Sequence, residues 1–136
     1  MKKIVFLSFL FFITGSLYCQ VDLIKDANGN ILGYEENNLT IKNINSVPVV
    51  IMQDSLTIAD PSGIVIATYN TALKELRYTN NDLLFSINTS NEIIDVAGNV
   101  KGYIQTGGKI YNNNNDYLGE GPDIEVFKLV YFFFFK

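Results

Sequence analysis

Histidine is absent from this chain of 136 residues, and its absence excludes several classes of chemistry at once. Without an imidazole there is no His general base, no Ser-His or Cys-His nucleophile pair and no His-ligated metal. Glycine-rich phosphate loops and dinucleotide-binding fingerprints are also missing from the sequence. These absences predict a protein that is not an enzyme, and we assign no catalytic, cofactor-binding or metal-binding residue.

Cysteine occurs once, at Cys19, so the chain cannot form an intramolecular disulfide. A domain of this size without disulfides depends on its hydrophobic core and on backbone hydrogen bonds. Basic residues are few as well: without Lys2 and Lys3, the ten Lys and Arg fall to eight against fourteen Asp and Glu, a net charge of -6. A chain this acidic lacks the basic face that nucleic-acid binding requires.

Residues 1–19 have the pattern of a secretory signal peptide: a basic start, an apolar stretch of about ten residues and a small-residue exit. The stretch is too short for a spanning helix. We expect export to the periplasm, the cell surface or the medium, with cleavage after Cys19. The alternative is a lipoprotein whose membrane anchor is Cys19, although Tyr18 is larger than the residue that usually precedes a lipidated cysteine.

A motif recurs about every 17 residues, six times in all. Its anchor is Asp or Asn in every copy except the fourth, at Asp26, Asn43, Asp60, Tyr78, Asp95 and Asn112. Two residues before each anchor lies an apolar residue, one of Ile24, Ile41, Ile58, Leu76, Ile93 and Ile110. Three residues after it lies a turn former, one of Gly29, Ser46, Gly63, Asn81, Gly98 and Asn115. Five residues after each anchor lies one of Ile31, Pro48, Val65, Leu83, Val100 and Tyr117. Each copy therefore has an apolar residue, a turn and a second apolar position.

This motif is typical of a β-hairpin. Asp or Asn opens a type I turn by accepting a backbone hydrogen bond, and Gly or Asn closes it in the left-handed conformation. Hairpins are marginal alone and gain a core by stacking at a fixed period. We predict an all-β fold in residues 20–121, with five or six hairpins in a closed, flower-like or propeller-like array. Gly33, Ala67, Gly102 and Gly119 predict a point of close approach between neighbouring units.

Residues 122–136 differ in character and end in four consecutive phenylalanines. Pro122 with Asp123 beside it predicts a helix start, and Ile124, Phe127, Val130 or Tyr131, and Phe134 would then share one face. A strand is the alternative, because aromatic and β-branched residues are enriched in strands. In either form we expect an aromatic segment that serves as a plug or cap packed on one end of the hairpin array. The functional alternative is a docking patch for a partner.

Two stretches, Ile24 to Tyr34 and Ile93 to Tyr103, resemble the repeat of the five-fold β-flower proteins. These are small exported bacterial proteins without an established activity, and the resemblance covers roughly residues 22–135. The second and fourth copies depart from the pattern, with Pro48 in a strand position and Tyr78 as the anchor. A proline in a strand belongs at an edge or a bulge. Six turns against a five-fold name leave the number of units open.

Three further patterns in the sequence are weaker indications of a site. Glu35-Glu36 predicts a solvated turn. The loop from Asp26 to Asn30 offers oxygen ligands at alternate positions, but it is a poor match to a calcium loop. Tyr34, Tyr69 and Tyr103 lie at similar points in three copies and could present aromatic faces to a glycan, although tyrosines on a sheet are more often half-buried packing.

These patterns predict a non-catalytic exported protein of the cell envelope or surface, of unknown ligand and partner. The first alternative is a binding module for a glycan or another envelope protein. The second is a lipid-anchored structural subunit, which contacts the membrane only if Cys19 carries a lipid.

Overall fold

Twelve antiparallel strands closed into a barrel, followed by one short helix, make up the computed structural model, which describes residues 21–135. The strands and the helix are β1 (Asp22–Asp26), β2 (Ile31–Glu36), β3 (Thr40–Asn43), β4 (Pro48–Met52), β5 (Thr57–Ala59), β6 (Val65–Asn70), β7 (Glu75–Tyr78), β8 (Leu83–Ile87), β9 (Glu92–Asp95), β10 (Val100–Gln105), β11 (Lys109–Asn112), β12 (Tyr117–Glu120) and α1 (Val126–Phe134). Sequence neighbours pair throughout, and β1 pairs with β12 to close the ring. The prediction of a closed all-β array is confirmed. The predicted signal peptide and Cys19 lie outside the described residues.

The six predicted turns share one geometry. In each, the backbone N–H of the turn former donates to the carbonyl oxygen of the anchor residue, at 2.9 to 3.0 Å. Each turn former has a positive φ, from 62° at Ser46 to 83° at Gly29 and Gly98. The strand register shifts by a bulge beside every turn. Pro48 lies opposite Lys42 at one of these bulges, as a proline without an N–H requires.

The anchor side chain reinforces five of the six turns. Its Oδ1 accepts the backbone N–H groups two and four residues later, for example those of Ala97 and Asn99 at 2.9 Å from Asp95. The same pair of bonds forms at Asp26, Asn43, Asp60 and Asn112. The N–H of Asn99 is the main reason that the pKa of Asp95 lies below its usual range. Aspartate and asparagine are interchangeable here because both present the required oxygen.

Tyr78 has no such oxygen, and Asn80 replaces it in part by accepting the N–H of Asp82 at 3.1 Å. We therefore expect Tyr78→Asn to stabilise the protein by about 1 kcal/mol, the usual gain from restoring a missing turn hydrogen bond. Urea unfolding of the variant and of native protein measures this. Asn43→Ala, which removes the same oxygen from another turn, is the matched control and should lower stability by a similar amount. A Tyr78→Asn variant no more stable than native protein would show that Asn80 already compensates.

The helix begins later than predicted. Pro122 is not its first residue: it lies in a turn closed by the N–H of Ile124 donating to the carbonyl oxygen of Gly121 at 3.1 Å, and the helix begins at Val126. Proline is favoured at the second position of such a turn, which explains why it precedes the helix without starting it. The strand alternative is wrong, because Val126–Phe134 form a helix.

The helix runs inside the barrel. The Ile/Leu residues two before each anchor are all at most 1 % exposed and face it from the odd-numbered strands. From the helix, Phe127, Leu129, Val130 and Phe132 are at most 3 % exposed and join the same core. The segment therefore packs into the core that the strands enclose.

Candidate functional site

Helix aromatics occupy the space left by glycines on the barrel wall. A Cβ built on Gly102 would lie 2.8 Å from Cζ of Phe134, and one on Gly119 would lie 2.9 Å from Cζ of Phe133. A Cβ built on Gly33 would lie 3.4 Å from Cε2 of Phe132. The same three Cβ atoms would collide with the carbonyl oxygens of Tyr111, Lys25 and Lys42 on the neighbouring strands. The predicted close approach between neighbouring units is therefore confirmed at these three glycines. Phenylalanines of the helix pack closely against the same three positions.

The interior holds a buried ion pair. Nζ of Lys128 lies 2.7 Å from Oε1 of Glu35, and both side chains are 2 % exposed. Lys128 also donates to the carbonyl oxygen of Asn38 at 2.9 Å and lies 3.0 Å from a carboxylate oxygen of Glu125. Through these ion pairs, Lys128 links Glu35 of β2 to Glu125 at the start of the helix.

The prediction of a solvated turn at Glu35-Glu36 is wrong. Both residues belong to β2, where alternate side chains face inward, and Glu35 points to the core beside Gly33. Glu36 points outward and pairs with Lys42 at 2.6 Å. Each carboxylate is therefore held by a lysine, and the two face opposite sides of the sheet. This geometry does not bring them together as the two acids that a glycosidase would need.

Beside the buried pair, a cleft of about 340 Å³ opens at the end of the barrel where the helix enters. It is lined by Glu35, Asn38, Leu39, Ser55, Asp123, Glu125 and Lys128. Three hydrogen-bonding oxygens already surround the lysine Nζ, from Glu35, Asn38 and Glu125. Lys128 therefore serves to hold the helix against β2 and the turn that follows it.

The calcium pattern at the loop from Asp26 to Asn30 gains no support from the geometry. Oδ1 of Asp26 accepts the N–H groups of Asn28 and Asn30, and Oδ2 accepts the Asn30 amide at 2.9 Å. The amide of Asn30 is the main cause that lowers the pKa of Asp26. Among residues 21–135, no group of three or more acidic side chains is placed to hold a metal ion.

The three tyrosines singled out in the sequence do not form one ring. Tyr69 faces inward and stacks on Phe127, with ring centroids 4.4 Å apart and planes 9° apart. Burial is the main reason that its pKa is raised. Tyr34 and Tyr103 each lie one residue after a buried glycine and face outward, whereas Tyr69 lies two residues after Ala67. Successive side chains of a strand point to opposite faces, so the position of Tyr69 relative to Ala67 places it on the other face from Tyr34 and Tyr103.

Outside the barrel, Tyr103 lines a groove that sequence reasoning missed. The groove measures about 400 Å³ and is lined by Ser90, Tyr103, Ile104, Gln105, Asn113, Asn114 and Asn115. Two repeat units contribute to it, because the turn of residues 112–115 lies against the outer face of β10. The run of four asparagines at residues 112–115 was the available signal, but the motif predicts only a turn there.

The chain matches no family model, no curated protein and no solved structure. The β-flower resemblance therefore stays a prediction. Within the described part of the chain, no helix is long and apolar enough to cross a membrane.

Proposed function

We propose that this chain is a non-catalytic protein of the bacterial cell envelope or surface, exported by its N-terminal segment. The observation that carries the proposal is that the chain's own helix occupies the barrel interior. Barrels that carry small molecules use that space as their cavity. Here it is filled by aromatic side chains and closed by the Lys128–Glu35 pair.

The hydrogen bonding of buried polar side chains supports the same proposal. Among the described residues, every buried side-chain nitrogen or oxygen has a hydrogen-bond partner. An active site usually contains groups with strongly perturbed pKa values in a cleft. Hydrogen bonds within their own turns lower the pKa values of Asp26 and Asp95, and burial with a hydrogen bond to Glu120 raises the pKa of Tyr117 to about 12. None of these three residues lines the cleft beside Lys128.

For the finer form of the fold, we propose six copies of one two-stranded unit, arranged as in the β-flower proteins. Six anchor turns of one geometry and twelve strands support six units over five. The first and last strands pair, so that the sixth unit closes on the first.

Fractionation of the producing bacterium tests the export proposal. We expect the protein outside the cytoplasm, with an intact mass that corresponds to a chain starting at Gln20. A Cys19→Ser variant should be exported and released in the same way. Loss of membrane association in that variant would favour the lipid-anchored alternative, and unprocessed protein confined to the cytoplasm would refute export.

A further inference from the structure

We propose that the groove beside Tyr103 is a binding site for an uncharged oligosaccharide. The inference goes beyond the proposed envelope role and does not depend on export. It rests on the chemistry of the groove lining, on the adjoining aromatic surface and on a comparison with the corresponding place in the first repeat unit.

No lining residue carries a charge: the set consists of amides, hydroxyls and one aliphatic side chain. Amide and hydroxyl groups both donate and accept hydrogen bonds, as sugar hydroxyls do. The size of about 400 Å³ lies within the usual range of ligand sites. An anionic ligand would find no opposite charge in this lining.

The polar side chains of this groove are uncommitted. Those of Ser90, Tyr103, Gln105, Asn113, Asn114 and Asn115 form no hydrogen bond to another described residue. Elsewhere on the barrel, some turn asparagines are held by a neighbouring acid, as Asn30 is by Asp26 and Asn80 is by Asp82, whereas others, such as Asn28 and Asn91, also form no side-chain hydrogen bond to another described residue. The groove therefore collects free donors and acceptors in one place.

Tyr34 occupies the corresponding position in the first unit, but its hydroxyl already has a partner. Its hydroxyl donates to Oγ of Ser46 at 3.1 Å, which ties the tyrosine to the next turn. At the position of Ser46, the last unit has Asn115, and Tyr103 makes no such bond to another described residue. The tyrosine hydroxyl is thus bonded to the next turn in one copy and not in the other, which provides a matched internal control.

Further tyrosines extend the surface away from the groove. Tyr103 lies directly opposite Tyr111 on the neighbouring strand. The rings of Tyr111 and Tyr117 follow, with centroids 5.2 Å apart. A tyrosine offers an apolar ring face and a polar tip, so that a row of them suits the alternating apolar and hydroxyl surfaces of a sugar chain. The length of the row favours an oligosaccharide over a single sugar.

A peptide is the less suitable ligand. Extended peptides commonly bind by adding a strand to an exposed sheet edge. The described barrel has no such edge, because β1 and β12 are paired.

Titration of the full-length ¹⁵N-labelled protein with neutral tetrasaccharides tests the proposal by NMR. The probes are cellotetraose, fully N-acetylated chitotetraose, maltotetraose, mannotetraose and xylotetraose. We expect at least one to cause saturable shifts in residues 103–105 and 113–115, with an affinity that does not change with salt because the ligand is uncharged. No saturable shift with any probe, or shifts centred on Tyr34, would overturn the proposal.

Substitutions then locate the contact. Tyr103→Ala should weaken binding at least tenfold, and Asn113→Ala combined with Asn114→Ala at least threefold. The asparagine variant keeps Asn112, which holds the turn, so that it tests the site even if Tyr103→Ala unfolds. Tyr34→Ala should bind as native protein does. Equal loss in Tyr34→Ala and Tyr103→Ala would refute a site at this groove.

Discussion

A Gly102→Ala variant is expected to unfold at a much lower urea concentration than native protein. The added Cβ would collide with the carbonyl oxygen of Tyr111 and would lie 2.8 Å from Cζ of Phe134. Overpacking a core usually costs about 1 to 3 kcal/mol. One of the two obstacles here is backbone that cannot rotate away, so we expect a loss of about 3 kcal/mol, measured by circular dichroism during unfolding.

Two controls separate lack of space from other effects of replacing a glycine. Gly98 has a φ of 83°, but a Cβ there would meet nothing within 4 Å. Gly98→Ala should therefore cost only the strain of a left-handed residue, about 1 to 2 kcal/mol. Lys101→Ala, at the exposed neighbour of Gly102, should change stability by less than about 0.5 kcal/mol. If Gly102→Ala is no more damaging than Gly98→Ala, the close approach does not limit stability.

The turns could be predicted from sequence because each is decided within five residues. An Asp or Asn oxygen reaches N–H groups two and four positions on, and a Gly or Asn accepts the positive φ. No distant residue is needed, so a repeating pattern of spacing was enough to predict all six. Even Tyr78, which breaks the pattern, has the same turn because Asn81 still takes a φ of 72°.

The contents of the barrel could not be predicted in the same way. The phenylalanines were expected to be buried, and the glycines were expected to mark a close approach. That Phe134 fills the space at Gly102 depends on how twelve strands curve around the helix, which the spacing of residues does not encode. Lys128 and Glu35 are likewise separated by 93 positions in the chain.

The groove was missed for a related reason. Its lining comes from Ser90, from β10 and from the turn of residues 112–115, three segments that are brought together by the ring. The aromatic hypothesis grouped Tyr69 with Tyr34 and Tyr103 by approximate position. Side chains alternate strictly along a strand, and Tyr69 lies one residue further along its strand than Tyr34 and Tyr103 do. Its side chain therefore belongs to the core and not to the surface.

A Lys128→Met variant is expected to lose about 3 to 5 kcal/mol of stability, because it leaves the Glu35 carboxylate buried without a counter-charge. Lys128 donates a hydrogen bond to that carboxylate at 2.7 Å. Glu35→Leu should cost less, because Lys128 keeps the Asn38 carbonyl oxygen and the Glu125 carboxylate as partners. The asymmetry between the two single variants follows from these contacts, and urea unfolding measures it.

The double variant, Glu35→Leu with Lys128→Met, distinguishes the value of the pair from the cost of breaking it. Replacing both charges by apolar side chains of similar size is often neutral or stabilising, so it should recover most of the loss. Lys42→Met is the matched control, because the Lys42–Glu36 pair is 2.6 Å long with side chains 23 % and 40 % exposed. It should cost less than about 1 kcal/mol, as partly exposed pairs do. Equal losses for Lys128→Met and Lys42→Met would mean that water reaches the Lys128 pair, and the helix would then be held by its aromatic contacts alone.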